Sequence, residues 1–311
     1  MTETTREILD KYQVRKSKAQ KTRFASYVEG LATDWGYSFK TEKGAFGARN
    51  LVVGDPASAK VVYTAHYDTA PVLPFPNFIT PKNIWIYILY NIALVAGFFC
   101  AAFAIGFSVS VICVLFDCSS NVVYWILPLS YWGILVFLLA GPANKHTAND
   151  NTSGVTLLID IMRELPVEQR NDVAFIFFDL EEMGLFGSSS YARAHKKEMK
   201  DRLLINFDCV SDGEHVLLVL RKRARIHRAA IEQAFAAKDG FCVEVADRGV
   251  FYPSDQVAFP RGVGVATLRA TKGGLLYMNR IHTRRDVIYR EENIEFLKNG
   301  AIALPALMRG E

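Results

Sequence analysis

Histidine and acidic residues recur along this chain at points where apolar, strand-like runs end. An α/β fold exposes side chains to ligands at the carboxyl ends of its strands. Taken together, these residues supply enough ligands for two metal ions and leave one carboxylate free to act as a base. They are, in chain order, His66, Asp150, Glu181, Glu182, Asp208 and His282. The sequence therefore predicts a two-metal hydrolase.

Two of these positions suggest how the metal ligands are held. His66 and Asp68 are two residues apart at the end of a predicted strand, so their side chains leave on the same face. We expect Asp68 to accept the second imidazole N–H of His66 and so fix its tautomer. Asp150 lies in a tight loop before a predicted helix, where its carboxylate could give one oxygen to each of two metals.

The pair Glu181 and Glu182 predicts a division of labour, because adjacent side chains cannot both point the same way on regular structure. One is expected to bind metal while the other faces the substrate water. Asp208 and His282 would complete the two metal sites. Imidazole and carboxylate ligands suit zinc, with cobalt or manganese as possible substitutes. Two ions about 3.5–4 Å apart would lower the pKa of a bridging water and polarise a scissile carbonyl.

Predicted strands and helices alternate along most of the chain, and they must position these side chains. This order predicts a three-layer α/β/α sandwich with a mixed, mostly parallel central sheet. The predicted strands are 51–53, 60–65, 172–178, 203–207, 216–220 and 263–269. The predicted helices are 16–35, 154–165, 188–200, 224–238 and 292–308.

One long stretch does not fit this pattern. Between Lys82 and Lys145 the only charged residue is Asp117. The apolar runs 84–116 and 122–140 are each long enough for a membrane span, which needs about 20 residues. The sequence therefore predicts a transmembrane helical hairpin over 82–141, inserted into a catalytic domain formed by 1–81 and 142–311. The alternative is a buried helical lid or a dimerisation hairpin in a soluble protein.

Charge predicts the orientation of this hairpin. Lys82, Lys145 and His146 flank it, whereas its short connector carries no Lys or Arg. The positive-inside bias then gives a two-pass protein whose catalytic domain faces the cytoplasm. Ala140 is ten residues from Asp150, at most about 33 Å even in an extended chain, so the metal site should lie near the membrane face. The hairpin either gives hydrophobic peptides access to the site or serves only as an anchor.

Composition limits the other possibilities. The 311 residues are 50% hydrophobic and can bury one large core plus a small extra unit. A net charge of +4 does not indicate a nucleic-acid binder. The five cysteines form no C-x-x-C pair, which argues against a secreted disulfide framework, and the polar start of the chain does not resemble a signal peptide. Cys209, next to a predicted ligand, is expected to point the other way into the core.

The motifs around these residues resemble those of the co-catalytic zinc aminopeptidase family, which includes bacterial leucyl aminopeptidases, aminopeptidase Y, glutamate carboxypeptidase and the glutaminyl cyclases. The resemblance covers about residues 14 to 310 apart from the hairpin. The motifs are Ala65-His66-Tyr67-Asp68-Thr69, Asn149-Asp150-Asn151-Thr152-Ser153-Gly154, Asp179-Leu180-Glu181-Glu182-Met183-Gly184, Asn206-Phe207-Asp208, Ser254-Asp255-Gln256 and His282-Thr283-Arg284-Arg285-Asp286.

The resemblance implies a role for each residue. His66, Asp150 and Asp208 would hold one zinc. Asp150, Glu182 and His282 would hold the other. Glu181 would be the general base, and Asp68 would orient His66. The implied activity is hydrolysis of N-terminal residues from peptides, with a peptide and the lipid bilayer as partners and no nucleic acid.

Two departures and several alternatives accompany this resemblance. The hairpin separates the first histidine from the bridging aspartate, and Gln256 stands where many members carry histidine or tyrosine. A carboxypeptidase or dipeptidase would need a basic group, for which Arg261, Arg269 and Arg284 are candidates. A glutaminyl cyclase would use a single zinc, and a catalytically inactive membrane receptor would need none. The sequence predicts neither the residue cleaved nor the oligomeric state.

Overall fold

A single sheet forms the centre of the unit that is built by the residues outside the two apolar runs. The structure, a computed structural model, describes residues 1–116, 120–238 and 240–308. The strands are β1 (Phe39–Lys43), β2 (Arg49–Val53), β3 (Val61–His66), β4 (Val173–Phe178), β5 (Leu203–Phe207), β6 (His215–Leu220), β7 (Cys242–Ala246), β8 (Gly262–Ala270) and β9 (Leu276–Tyr277). The helices are α1 (Glu3–Lys11), α2 (Lys18–Asp34), α3 (Ile84–Leu115), α4 (Ser120–Ala140), α5 (Gly154–Glu164), α6 (Phe186–Ala194), α7 (Arg228–Ala234) and α8 (Glu291–Leu307).

The sheet is mixed, with a parallel centre. Its order is β1-β2-β4-β3-β5-β8-β6-β7, and β9 pairs with β8. The four central strands β4, β3, β5 and β8 are parallel, while β2 and β6 join them antiparallel on either side. His66 pairs in register with Phe178, so β3 and β4 end at the same edge. The predicted fold class, with its mixed and mostly parallel sheet, is confirmed.

Both faces of the sheet are buried, which makes the unit a three-layer sandwich. Along β3, Val61, Tyr63 and Ala65 face one core, which also contains residues of α2, α5 and α8. Val62 faces a second core that includes Tyr191 of α6. This alternation follows from the two-residue period of a strand, and it explains why the central strands are apolar throughout.

The differences from the sequence prediction lie at the edges of the fold. The helix predicted over 188–200 ends at Ala194, and the one predicted over 224–238 is regular only from Arg228. The edge strands β1 and β7 were not predicted. Strand β1 reads Phe-Lys-Thr-Glu-Lys and has no fully buried residue, so its polar composition hides it from a pattern based on burial.

Helices α3 and α4 coincide with the two apolar runs and pack together. The Phe99 and Tyr131 rings stack with centroids 4.7 Å apart. Among the described residues, α3 is the one helix long and apolar enough to cross a membrane. Only 17% of an 18-residue apolar stretch within it is buried. The described apolar part of α4, Tyr124–Ala140, is shorter than that criterion requires. Of the predicted connector Asp117–Asn121, residues 117–119 lie outside the described residues and α4 begins at Ser120, so the two-span hairpin stays a prediction.

The chain enters and leaves the helical pair through two connections, 71–83 and 141–143, which together form a stem that is hydrogen-bonded to the sheet-containing unit. Pro71 and Ala143 form an antiparallel bridge, which brings the two connections side by side. Leu73 N–H donates to the carbonyl of His282 (2.7 Å), and Ile79 exchanges two backbone hydrogen bonds with Met278. The stem therefore contacts the loop that carries one of the predicted metal ligands.

Candidate metal centre

The predicted site residues meet at one edge of the sheet. His66 is the last residue of β3, Glu181 and Glu182 lie in the turn after β4, and Asp208 directly follows β5. Asp150 precedes α5, and His282 lies in the loop between β9 and α8. Because β3, β4 and β5 are parallel neighbours, their carboxyl ends bring these side chains together.

Asp150 lies between two clusters of ligand atoms. Its Oδ1 is 3.2 Å from Nε2 of His66, which is also 3.5 Å from Oδ1 of Asp208. Its Oδ2 is 2.8 Å from Nε2 of His282, which is also 3.1 Å from Oε2 of Glu182. The two carboxylate oxygens of Asp150 thus serve different clusters, as a residue that bridges two cations would require.

The chemistry of these donors fits a pair of cations. Each cluster holds one imidazole nitrogen and two carboxylate oxygens within 4.8 Å of one another. Oε1 of Glu182 is buried and has no hydrogen-bond partner among the described residues. Buried carboxylates that face one another are costly unless a positive charge lies between them. Mixed nitrogen and oxygen ligands in this number are typical of zinc.

The pKa directions reflect this concentration of negative charge. Burial holds the pKa of Glu181 well above its ordinary value, and the nearby Glu182 and Asp208 add to the effect against the opposing influence of His66. Burial alone would lower the pKa of His282, but Glu182 and Asp150 raise it well above the usual range. The raised pKa values mean that these side chains favour bound positive charge, either protons or metal ions.

Asp68 makes contacts on two sides. Its Oδ1 lies 3.5 Å from Nδ1 of His66, on the side that the sequence predicts, although this separation falls outside good hydrogen-bond geometry. The same carboxylate accepts the backbone N–H groups of Glu181 (3.0 Å) and Glu182 (3.2 Å). Asp68 therefore links the end of β3 to the turn that carries both glutamates, a contact that the sequence did not reveal.

Asp286 and Arg15 form hydrogen bonds to the backbone of segments that carry the candidate ligands. Asp286 accepts the backbone N–H groups of Asn149 (2.8 Å) and Asp150 (2.9 Å), so it fixes the loop that holds the shared aspartate. Arg15 is fully buried and donates to the carbonyl of Tyr67 (2.5 Å). Burial lowers the pKa of Arg15 to about 10. No local pattern marks Arg15 in the sequence, whereas Asp286 belongs to the motif that contains His282.

Cys209 is buried in an apolar cluster, as expected, but its side chain does not point away from Asp208. Its Sγ lies 3.2 Å from Oδ1 of Asp208, and it lines the cavity beside the clusters. The reason is that β5 ends at Phe207, and the backbone turns at Cys209 with φ of 58°. Alternation no longer applies once the chain has left the strand.

A cavity of about 160 Å³ opens onto the clusters. One wall is apolar and contains Phe251, Tyr252 and Ile281. The remaining lining residues are His66, Asn77, Ile79, Tyr87, Asp150, Glu181, Glu182, Asp208, Cys209, Pro253 and His282. The stem and the first turn of α3 therefore form part of the cavity, a contribution that could not be read from the motifs.

Gln256, the residue that departs from the family motif, lies behind the wall of this cavity. Its amide donates to the carbonyl of Tyr252 (2.7 Å) and accepts from Asn206 (3.3 Å), while the residue itself is buried. Gln256 thus supports the cavity wall through Tyr252 and is not one of the lining residues. A different side chain at position 256 would therefore change the shape of the cavity wall.

The candidate basic residues lie elsewhere. Arg261 pairs with Asp201 (2.8 Å) at the surface. Arg269 lies over the ring of Tyr277, with 4.8 Å between its guanidinium carbon and the ring centroid. Arg284 is exposed and lines a separate cavity. No Arg or Lys is among the described residues that line the 160 Å³ cavity beside the ligand clusters.

Known proteins resemble this chain in sequence pattern and in fold. The model of peptidase family M28 matches residues 133–306. The LapA aminopeptidase of Legionella pneumophila is 13% identical over 99% of this chain and 70% of its own, with a TM-score of 0.57. Glutaminyl cyclase of Porphyromonas gingivalis is 15% identical over 98% and 96%, with a TM-score of 0.59.

A third solved structure, a leucine aminopeptidase precursor from Bacteroides thetaiotaomicron, is 15% identical over 97% of this chain and 92% of its own, with a TM-score of 0.52. At these identities the structural similarities show a common fold. None of the curated protein sequences matches this chain significantly.

Proposed function

Because this chain belongs to peptidase family M28 and is thus a metallopeptidase, we propose that it is a membrane-anchored zinc exopeptidase that removes N-terminal residues from peptides. The observation that carries the proposal is the pair of ligand clusters that share Asp150. His66, Asp150 and Asp208 would hold one zinc, and Asp150, Glu182 and His282 the other. Cobalt or manganese could replace zinc in such a donor set.

The chain's own residues have distinct roles in this proposal. When bound, two zinc ions would supply a water of lowered pKa and polarise the scissile carbonyl. Glu181 lines the cavity and belongs to neither of the two clusters that share Asp150. Its carboxylate would take a proton from the attacking water and deliver it to the amine nitrogen as the C–N bond breaks. Asp68 would orient His66 and hold Glu181 in place through its backbone N–H.

The lining of the cavity offers no cationic side chain for the carboxyl end of a substrate. No Arg or Lys is among its described lining residues, so a terminal carboxylate would find no side chain to pair with there. This argues against a carboxypeptidase, which needs a basic partner for that carboxylate. A single-zinc glutaminyl cyclase remains a second candidate because its fold is shared, but the donors here are enough for two ions. A catalytically inactive relative would not need Glu181.

The helical pair is the proposed anchor. Helix α3 has 32 residues, carries exposed large hydrophobic side chains along its length, and passes the length and composition criteria for a span. We infer that α3 and α4 cross the bilayer as a two-pass hairpin over 82–141. The catalytic domain of 1–81 and 142–311 would then lie in the cytoplasm, on the side of Lys82 and Lys145. The peptide substrate and the lipid bilayer are the partners in this arrangement.

Hydrolysis of aminoacyl fluorogenic amides by the full-length protein in detergent tests the activity. We expect release that is lost on chelation and restored by zinc. Glu181→Gln should lower kcat by roughly 10²–10⁴-fold while two metal ions per chain remain bound, because the variant removes a base and no proposed ligand. The exposed Glu29→Gln is the matched control and should behave like the parent protein.

The outcomes separate the candidates. An absence of release from every free-amine substrate, with two metals bound, would contradict the aminopeptidase. Formation of pyroglutamyl product from glutaminyl peptides with one metal per chain would assign the cyclase instead. Equal rates for Glu181→Gln and Glu29→Gln would remove Glu181 from the mechanism.

A further inference from the structure

Tyr87 lies at the junction between the catalytic cavity and a second concave surface. It lines the 160 Å³ cavity, and it also lines a groove of about 490 Å³ along one side of α3. The other residues that line this α3 groove are Ile88, Asn91, Ile92, Val95, Ala96 and Phe99. They recur at helical spacing, so they form one stripe that leads away from the metal ligands.

The stripe continues toward the middle of the helical pair. Phe99 lines the α3 groove and also a third concavity of about 590 Å³ between α3 and α4, which includes Phe103, Pro128 and Tyr131. The catalytic cavity and the α3 groove thus share Tyr87, and the α3 groove and the inter-helix concavity share Phe99. The three concave surfaces therefore follow one another from the ligand clusters to the apolar hairpin.

The α3 groove has no charged side chain among its described lining residues. Its one amide, on Asn91, donates to the carbonyl of Tyr87 (2.8 Å) within the same helix. A surface of this kind offers little directional hydrogen bonding and recognises its occupant by the burial of apolar area. An apolar segment of a peptide fits this chemistry.

The α3 groove lies on the half of α3 that adjoins the stem. The 32 residues of α3 extend roughly 48 Å, more than a hydrocarbon core of about 30 Å requires. The stem packs along the first half of this helix: the rings of Phe78 and Tyr90 are 5.6 Å apart, and those of Phe75 and Phe98 are 5.5 Å apart. The α3 groove, over residues 87–99, therefore runs beside the catalytic unit.

Two aromatic rings line the cavity where the groove meets it. The ring of Phe251 lies 5.8 Å from that of Tyr87, and both residues line the catalytic cavity. The backbone N–H of Phe251 donates to the carbonyl of Pro81 (2.8 Å), which fixes this loop against the start of α3. Phe251 is 46% exposed, so its ring is accessible from outside the cavity.

We propose that the substrate is a peptide whose residues after the cleaved one are apolar, and that these residues bind in the α3 groove while the N-terminal residue enters the cavity past Tyr87 and Phe251. The inference rests on the exopeptidase activity proposed above. The groove spans the thirteen residues from Tyr87 to Phe99, a rise of roughly 18 Å, which matches about five residues of extended peptide. The cavity is small enough that a short terminal segment alone would occupy it.

A pair of alanine substitutions tests the proposal. Ala96 lines the α3 groove, whereas Ala93, three residues earlier, is also exposed and is not among the lining residues. The full-length protein in detergent would be assayed on two hexapeptides with N-terminal leucine, one followed by five apolar residues and the other by five polar residues. Leucine amide would be the third substrate.

In the parent protein we expect a higher kcat/KM for the apolar hexapeptide than for the polar one. Ala96→Trp should lower the ratio of these two values by on the order of tenfold, because the indole fills the groove, and Ala93→Trp should leave it unchanged. The inference would be overturned if Ala96→Trp and Ala93→Trp gave the same ratio of kcat/KM values. It would also be overturned if the parent protein showed no preference for the apolar hexapeptide. Failure to cleave leucine amide would contradict the proposed exopeptidase activity itself, so the two failures are distinguishable.

Discussion

The side-chain amide of Asn77 lies 3.3 Å from Nδ1 of His282, the ring nitrogen that does not face the ligand cluster. Asn77 belongs to the stem that leads into α3, and it lines the catalytic cavity. A partner on the second imidazole nitrogen fixes the orientation of a metal-binding histidine. The segment that leads to the proposed membrane anchor therefore also contacts the metal centre.

Replacing Asn77 should impair the second cluster. We expect Asn77→Ala to weaken the binding of one of the two zinc ions by roughly 10–100-fold, because His282 loses the contact that orients it. Zinc titration of the metal-free protein in detergent measures this directly. The control is Asn299→Ala on the exposed face of α8, which should bind both ions as the parent does. Two unchanged affinities in Asn77→Ala would show that the contact does not position the histidine.

Replacing Asp68 should affect both zinc binding at His66 and the position of the proposed general base Glu181. Asp68→Asn keeps the shape but exchanges one acceptor oxygen for an N–H₂ group, which cannot accept the N–H of Glu181 or Glu182. We expect kcat/KM to fall by about 10–100-fold. Steady-state kinetics with parallel metal analysis would check this, and a variant with full metal content and full activity would refute the assigned role.

The buried ion pair of Lys21 and Asp179 predicts a large effect on stability. Their side chains are 9% and 2% exposed and form a direct contact between α2 and the end of β4. Lys21→Met leaves Asp179 buried without its cationic partner, and we expect the free energy of unfolding to fall by about 3–5 kcal/mol.

Chemical denaturation followed by tryptophan fluorescence measures this loss. The pair of the exposed Lys40 and the partly buried Glu42 provides the control, since Lys40→Met should change the stability by less than about 1 kcal/mol. Similar effects of the two substitutions would mean that the buried contact contributes no more than a surface one.

The proposed topology places two cysteines on opposite sides of the bilayer. Cys242 is exposed on β7 of the catalytic unit, and Cys118 lies in the connector sequence between the two apolar runs. In bacterial cells that express the protein, a membrane-impermeant maleimide should label the Cys242→Ser variant from outside but not the Cys118→Ser variant. Disruption of the cells should expose Cys242. Labelling of Cys242 in intact cells would contradict a cytoplasmic catalytic domain.

The meeting of the candidate ligand residues could be predicted from the sequence because strand ends and local motifs are short-range features. His66, Glu181 and Asp208 follow apolar runs whose burial the sequence pattern indicates, and parallel pairing then brings them together. The contacts of Arg15 and Asn77 could not be predicted in this way. Each depends on segments that are distant in sequence, and neither residue type is distinctive alone.

The position of Cys209 illustrates a second limit. Alternation predicts side-chain direction only while the chain remains in a strand, and β5 ends two residues before Cys209. The edge strand β1 was missed for a related reason, since its residues remain partly in contact with solvent and show no burial period. Prediction was thus most successful in the central sheet and least successful where the chain changes direction.

Under the membrane anchor proposed above, the bridge between Pro71 and Ala143 bears on how the protein would be released from a membrane. The helical pair interrupts the sheet in sequence, because β3 precedes it and β4 follows it, yet these strands are hydrogen-bonded neighbours. One proteolytic cut within the helices would leave two fragments still joined through the sheet, each retaining a membrane segment. Shedding of a soluble enzyme would require two cuts, and cuts on the sheet side of Asn77 would remove the partner of His282 along with the anchor.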